Sequence, residues 1–223
     1  GTQLLATYAS SRDVTTIVEV DEGAVASVPP VALPGAHQRR NAAAALAAID
    51  HLEVALGRRI DDAARARGLR DCRLAGRLER VATAPAVVID GAHNPQAARV
   101  VAGALDDAAP GAARWVLVLG VSSDKDAAGI AAPLAARAAH VVVTRAAHDR
   151  ALDPAALERA VRAVTAAPVE QAPDAASAIA RARALAGHDG AVLVAGSLFL
   201  AGEARAHLLG EAPDPLPVSD PVR

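Results

Sequence analysis

Six short runs with strand character, separated by stretches of helical periodicity, constrain the fold of this chain more than any other feature. They are Leu78 to Ala82, Ala86 to Asp90 (AVVID), Trp115 to Leu119 (WVLVL), His140 to Thr144 (HVVVT), a weaker run near Val169, and Ala191 to Ala195 (AVLVA). Most are apolar throughout rather than at every second residue. That pattern belongs to strands buried on both faces, as in a parallel sheet covered by helices. Helical patterns lie between them, near Pro95–Leu105, Asp126–Ala139, Pro154–Val164, Asp174–Leu185 and Leu198–Leu209. The alternation predicts an α/β fold, a doubly wound, mostly parallel, Rossmann-like domain over residues 71–211.

The first 70 residues have a different grammar. Thr15 to Val20 reads as a strand, and Ala24 to Val28 as a second across the Asp21-Glu22-Gly23 turn. Pro29, Pro30 and Pro34 mark a loop. A long helix follows from about His37 to Leu56, with Gly57 as its C-cap, and a second from Ile60 to Arg67, stopped by Gly68. Two strands cannot make a sheet alone, so residues 1–70 are expected to be the tail of another domain. Residues 212–223 hold four prolines and are expected to form a flexible tail.

Composition removes several function classes. Of 223 residues 60 are alanine and only Tyr8, Trp115 and Phe199 are aromatic, so stacking platforms for nucleic acid are nearly absent. The net charge of −2 with interspersed signs gives no basic footprint for nucleic acid either. No apolar run approaches the roughly 18 residues that span a bilayer. The lone Cys72 excludes an internal disulfide and a cysteine-rich zinc site. No leader pattern opens the chain and no methionine occurs in it, so the expectation is a cytoplasmic piece of a longer or processed chain, and a monomer.

Ligands of a parallel α/β sheet sit at the carboxyl ends of its strands. One such end is Asp90-Gly91-Ala92-His93-Asn94-Pro95. Turn and cap chemistry accounts for Gly91, Asn94 and Pro95. It does not account for an acid beside an imidazole: Asp90 could accept from ribose hydroxyls and His93 could hold an anion. A second end is Gly120 to Asp126, where Ser122, Ser123 or Asp124 can simply cap the next helix. Lys125 stands out because all 22 other basic residues are Arg, and an ammonium pairs differently from a guanidinium. At the third, Gly196-Ser197, Ser197 is equally a plain N-cap or part of an anion site. Asn41, one of two asparagines, lies in an alanine run of the long helix, where an amide could read an adenine edge or be merely solvated. Arg77 lies where the two halves meet, as a surface residue or a phosphate clamp. His51, His140, His148, His188 and His207 show no metal-ligand spacing and are read as structural or solvated. No P-loop ending Gly-Lys-Ser/Thr, no G-x-G-x-x-G after a strand and no G-x-S-x-G occurs.

His37-Gln38-x-x-Asn41-Ala42, Gly76-Arg77-Leu78-Glu79, Asp90-Gly91-Ala92-His93-Asn94-Pro95, Asp124-Lys125-Asp126 and Gly196-Ser197-Leu198-Phe199-Leu200-x-Gly202-Glu203 occur in that order. Together they resemble the bifunctional dihydrofolate synthase/folylpolyglutamate synthase family of the Mur ligase superfamily, over about residues 30–209. Peptidoglycan-building relatives usually carry Tyr where Gly91 stands, which favours the folate branch. The family often has Trp-Pro before the Gly-Arg; Leu74-Ala75 here gives a softer hinge. The resemblance implies an ATP- and Mg²⁺-dependent ligase that joins L-glutamate to dihydropteroate or folate through an acyl phosphate. It implies that Asn41 meets the adenine side of ATP, that Arg77 and Asp90 meet its phosphates and ribose, and that His93 holds the glutamate. It offers Lys125 as a further catalytic candidate and Ser197 as a substrate contact. The P-loop and metal ligands would lie in a preceding part, so this segment alone should be inactive. The alternatives are a UDP-muramyl amino-acid ligase fragment and a non-catalytic nucleotide-binding module.

Overall fold

A strand with apolar side chains on both faces demands two covering layers, and the computed structural model, which describes residues 17–212, supplies them. The chain divides into two compact units, residues 1–32 with 36–72, and residues 33–35 with 73–223.

The described part of the first unit is helical: α1 (Glu22–Ser27), α2 (His37–Leu56) and α3 (Asp62–Asp71). The strand expected over Ala24–Val28 is therefore a helix. Asp21 decides the matter, because its carboxylate accepts from the Ala24 N–H at 2.7 Å and Glu22 complements the helix dipole in the first turn. Thr15 and Thr16 lie outside the described residues, and Ile17 to Val20 form no strand. The expected Ile60–Arg67 helix starts two residues later and runs on through Gly68. Asp61 caps it by accepting from Ala64 at 2.7 Å, and Leu69 packs against the small core of Val28, Ala42 and Ala43. That contact outweighs the cost of a mid-helix glycine, about 1 kcal/mol.

The second unit is the expected doubly wound domain. Its strands are β1 (Glu79–Thr83), β2 (Ala86–Ile89), β3 (Trp115–Leu119), β4 (His140–Val143), β5 (Val169–Gln171) and β6 (Ala191–Ala195), in the order β1-β2-β6-β3-β4-β5. Only β1 is antiparallel to its neighbour, and its register shifts between Arg80 and Ala82. Successive residues point to opposite faces. Val88, Leu117, Val141, Val143 and Leu193 pack under α4 (Pro95–Gly103), α5 (Leu105–Ala108), α6 (Ala127–Ala135) and α7 (Pro154–Arg162). Val87, Val116, Val118, Val142, Val192 and Val194 pack under α8 (Ala175–Ala186) and α9 (Leu198–Leu209). The abundant alanine serves these layers: Ala98, Ala178, Ala182 and Ala204 are fully buried, and their short side chains let each helix lie close to the sheet. The single helix expected over Pro95–Leu105 is broken at Ala104 (φ −109°, ψ 5°), giving α4 and α5. Ala212 excepted, the expected flexible tail lies outside the described residues.

Chain direction sets the place for a site. β6 lies between β2 and β3, yet its following helix α9 covers one face while α4 and α6, after β2 and β3, cover the other. The connections thus diverge at the carboxyl ends of these three strands and leave a crevice between them.

Candidate functional site

The β2 end is built around one carboxylate. Asp90 is 6% exposed, and its two oxygens accept from the backbone N–H groups of Leu78 (2.9 Å) and Ala92 (2.8 Å). It thereby fastens the segment carrying Arg77 to the end of the strand. Gly91 adds a second tie, its N–H donating to the Gly76 carbonyl at 2.9 Å. The Arg77 Nη1 donates to the same carbonyl at 3.2 Å and sits over Gly91, where a Cβ would lie 3.0 Å from it. The side chain is half-buried, and among the described residues it forms no ion pair with a carboxylate.

His93 hangs on the other side of the same glycine peptide. Its Nδ1 is 2.9 Å from the Gly91 carbonyl, which can only accept, so Nδ1 carries the proton and Nε2 is the lone-pair nitrogen of the neutral ring. Asn94 then caps α4, its side chain accepting from Ala97 at 2.8 Å, with Pro95 as the first helical residue. Arg77, Asp90 and His93 therefore meet at one strand end.

The β6 end reaches both neighbours. The Gly196 N–H donates to the Ala92 carbonyl at 2.9 Å, and Gly196 has φ +104° with the Gly120 carbonyl oxygen 2.6 Å from where a Cβ would stand. Only glycine fits both conditions. Ser197 is 5% exposed and caps α9, its hydroxyl accepting from Phe199 at 3.2 Å. Beside it lies a shallow surface cleft, lined among others by Gly120, Ser122, Ala151, His148, Ser197 and Phe199. Two expected regions, Gly120–Ser122 and Ser197, so share one wall. Lys125 does not line this cleft; its Nζ pairs with the neighbouring Asp124 at 2.7 Å. Asn41 belongs to the first unit, where its amide donates to the Gln38 side chain at 3.0 Å.

Some of this site was not anticipated. His148, read from the sequence as structural or solvated, stacks on Phe199 with ring centroids 3.8 Å apart. Its Nδ1 accepts from the Arg150 N–H at 3.1 Å. The available signal was position, since the segment from Thr144 to Ala151 follows the carboxyl end of β4. Glu203 on α9 holds this segment by accepting from the Ala147 N–H at 2.6 Å. Burial pushes the Glu203 carboxyl above its ordinary range; the Ala147 N–H and His148 pull it down, and the Asp174 carboxylate pushes it up. Beneath lies Thr144, fully buried, whose Oγ1 is the buried side-chain polar atom without a partner among the described residues. No cluster of three His, Cys, Asp or Glu side chains able to hold a metal occurs among the described residues, and no helix there is long and apolar enough to cross a membrane.

Residues 76–198 match the family model described as Mur ligase, glutamate ligase domain, which is more than half of the chain. A probable bifunctional folylpolyglutamate synthase/dihydropteroate synthase of Haloferax volcanii is 39% identical over 179 residues, covering 78% of this chain and 20% of the relative. A dihydrofolate synthase/folylpolyglutamate synthase of Mycobacterium tuberculosis is 43% identical over 128 residues, covering 56% of this chain and 26% of the relative. Among solved structures, Mycobacterium tuberculosis folylpolyglutamate synthase complexed with ADP aligns with a TM-score of 0.74 and 35% identity, over 82% of this chain and 42% of that one. E. coli FolC in complex with DHPP and ADP aligns at 0.67 and 29% identity, over 82% and 40%. The chain thus spans less than half the length of each of these proteins.

Proposed function

The chain belongs to the Mur ligase family through its glutamate ligase domain, and from that membership we propose that it is the closing part of an ATP-dependent amide ligase that adds L-glutamate to dihydropteroate or a folate. One observation carries the proposal most directly. A half-buried guanidinium, Arg77, stands among the described residues without a carboxylate partner, at a strand end where α/β sheets bind ligands. Such a cation is suited to a phosphate, and the neighbours solved with ADP agree with that use.

In the proposed reaction a carboxylate of the pterin substrate takes the γ-phosphoryl group of ATP. The glutamate amino group attacks the acyl phosphate, the C–O bond to phosphate breaks, and an amide, ADP and phosphate result. Arg77 stabilises charge on the transferring phosphoryl group and helps orient it. Asp90, whose carboxylate accepts from Leu78 and Ala92, keeps the Arg77 segment in place and is assigned to the ribose side of ATP. His93, held through Nδ1, offers Nε2 to the incoming glutamate. Ser197 and the cleft beside it suit the substrate face, with Lys125 as a more distant cationic contact. Asn41 on α2 is assigned to the adenine side, and residues 1–70 to the end of the nucleotide-binding central domain. The ligands of a Mg²⁺ accompanying ATP are assigned, with the P-loop, to a part of the polypeptide preceding this segment.

The test uses the full polypeptide that carries this segment, assayed for ADP release dependent on both glutamate and a pterin or folate. Arg77→Ala should lower kcat by about 10²- to 10³-fold, the usual loss for one preorganised donor to transition-state charge. Robust turnover by the 223-residue chain alone, or turnover of UDP-muramyl substrates in place of folates, overturns the assignment.

A further inference from the structure

The segment that carries Arg77 is held by more than Asp90. Leu78 has φ +46°, a conformation that residues other than glycine rarely adopt, and such a backbone persists only where its surroundings fix it. The ties can be followed atom by atom. The Leu78 N–H donates to Asp90, and the Gly76 carbonyl accepts from both Gly91 and the Arg77 Nη1. The remaining group, the Gly76 N–H, donates to the Glu79 Oε2 at 2.9 Å. The other oxygen of that carboxylate, Oε1, accepts from the Arg205 Nε at 3.0 Å, and a second arm of Arg205 pairs with Glu211.

The bonds form one chain: Arg205 on α9, then Glu79 at the start of β1, then the Gly76 peptide, then the Arg77 guanidinium. A glutamate side chain has several rotamers, and only those aimed at Gly76 serve the loop. Arg205 selects them by taking the second oxygen. Both side chains are less than one-third exposed, so water competes weakly for the pair. Its partners are 126 residues apart in sequence and join the helix that Ser197 opens to the loop that Arg77 occupies.

We infer that Glu79 and Arg205 are positioning residues for Arg77, holding its guanidinium at the strand end through the Gly76 peptide. The inference rests on the reading that Arg77 meets the transferring phosphate. Neither residue touches substrate on this account; they act through Arg77 alone. A purely structural pair would instead lower activity whether or not Arg77 is present.

That difference is measurable in the full polypeptide carrying this segment, by a double-mutant cycle on kcat and on the KM for ATP. Arg205→Gln and Glu79→Gln should each lower kcat by about 10- to 100-fold, the scale of a displaced catalytic group. In an Arg77→Ala background the same substitutions should change kcat by less than about twofold, because coupled residues are not additive. Arg205→Lys keeps the charge at this partly buried site and serves if the glutamine variant does not fold. Equal losses in both backgrounds overturn the inference, as does unchanged kcat in the Glu79 and Arg205 variants when Arg77→Ala is impaired. If Arg77→Ala itself leaves turnover intact, the phosphate role of Arg77 fails first and takes this inference with it.

Discussion

Replacing Gly196 by alanine isolates the close approach on which the strand-end crevice depends. Two separate costs follow from the backbone. At φ +104° any L side chain is strained, by about 1–2 kcal/mol on the left-handed scale. The added Cβ would also stand 2.6 Å from the Gly120 carbonyl oxygen and 2.8 Å from the Leu119 Cδ1. The first of these is backbone in a central connection and cannot swing aside, so overpacking adds about 1–3 kcal/mol. The sum is a loss of about 2–5 kcal/mol. Gly187 provides the control, because it has φ +68° and nothing within 4 Å of its Cβ position. Gly187→Ala should cost only the backbone part, and the entropy lost by the unfolded chain is common to both variants. Trp115, the sole tryptophan, is 6% exposed in β3 and reports on the second unit by fluorescence. In urea titrations Gly196→Ala should shift the midpoint further than Gly187→Ala by about 1 M, given slopes of about 1–3 kcal/mol per molar. Equal midpoints for the two variants would refute the idea that crowding against β3 is what demands glycine after β6.

Two further outcomes concern the segment after β4. Thr144→Val removes a buried hydroxyl that has no partner among the described residues and nearly preserves shape, so it should raise stability by about 1 kcal/mol in the same titration; a loss of that size would mean the hydroxyl is bonded in solution. Glu203 has its carboxyl raised by burial, so the folded form keeps a proton that the unfolded form has released, and stability falls as pH rises from the ordinary carboxylate range through the raised value. Glu203→Gln keeps an acceptor for the Ala147 N–H without the charge. Its melting temperature should match that of the unsubstituted protein at low pH and exceed it increasingly across that window, and a pH-independent difference would contradict the burial argument.

The sheet was legible because continuous apolar runs have one economical explanation, and the carboxyl ends of β2, β3 and β6 followed from it with Asp90, Gly120 and Gly196 in place. What escaped was decided by single polar atoms or by distant partners. The apolar pattern of Ala24 to Val28 suits a strand, but one capping carboxylate from Asp21 makes a helix there. Gly68 resembles a helix stop until Leu69 is seen against its core. Asp90 was identifiable as an acid at a strand end, yet its two N–H partners depend on a fold-dependent return of Leu78, twelve residues earlier. Glu79 stood in the Gly76-Arg77-Leu78-Glu79 motif, but its pairing with Arg205 gave no signal because nothing local links residues 126 apart. The rarity of Lys125 drew attention to it, while rarity says nothing of geometry, and its amine rests on Asp124.

The two outermost strands have a consequence for life in a crowded solution. An apolar ladder with a free margin invites a second molecule to add a strand. One margin here is β5, only three residues long and carrying Glu170 paired with Arg181. The other is β1, whose slipped register between Arg80 and Ala82 breaks the regular row of donors and acceptors. The four interior apolar strands stay inside these blunt borders, so the sheet of the described residues, built largely from valine, leucine and alanine, presents no smooth template for fibrous stacking.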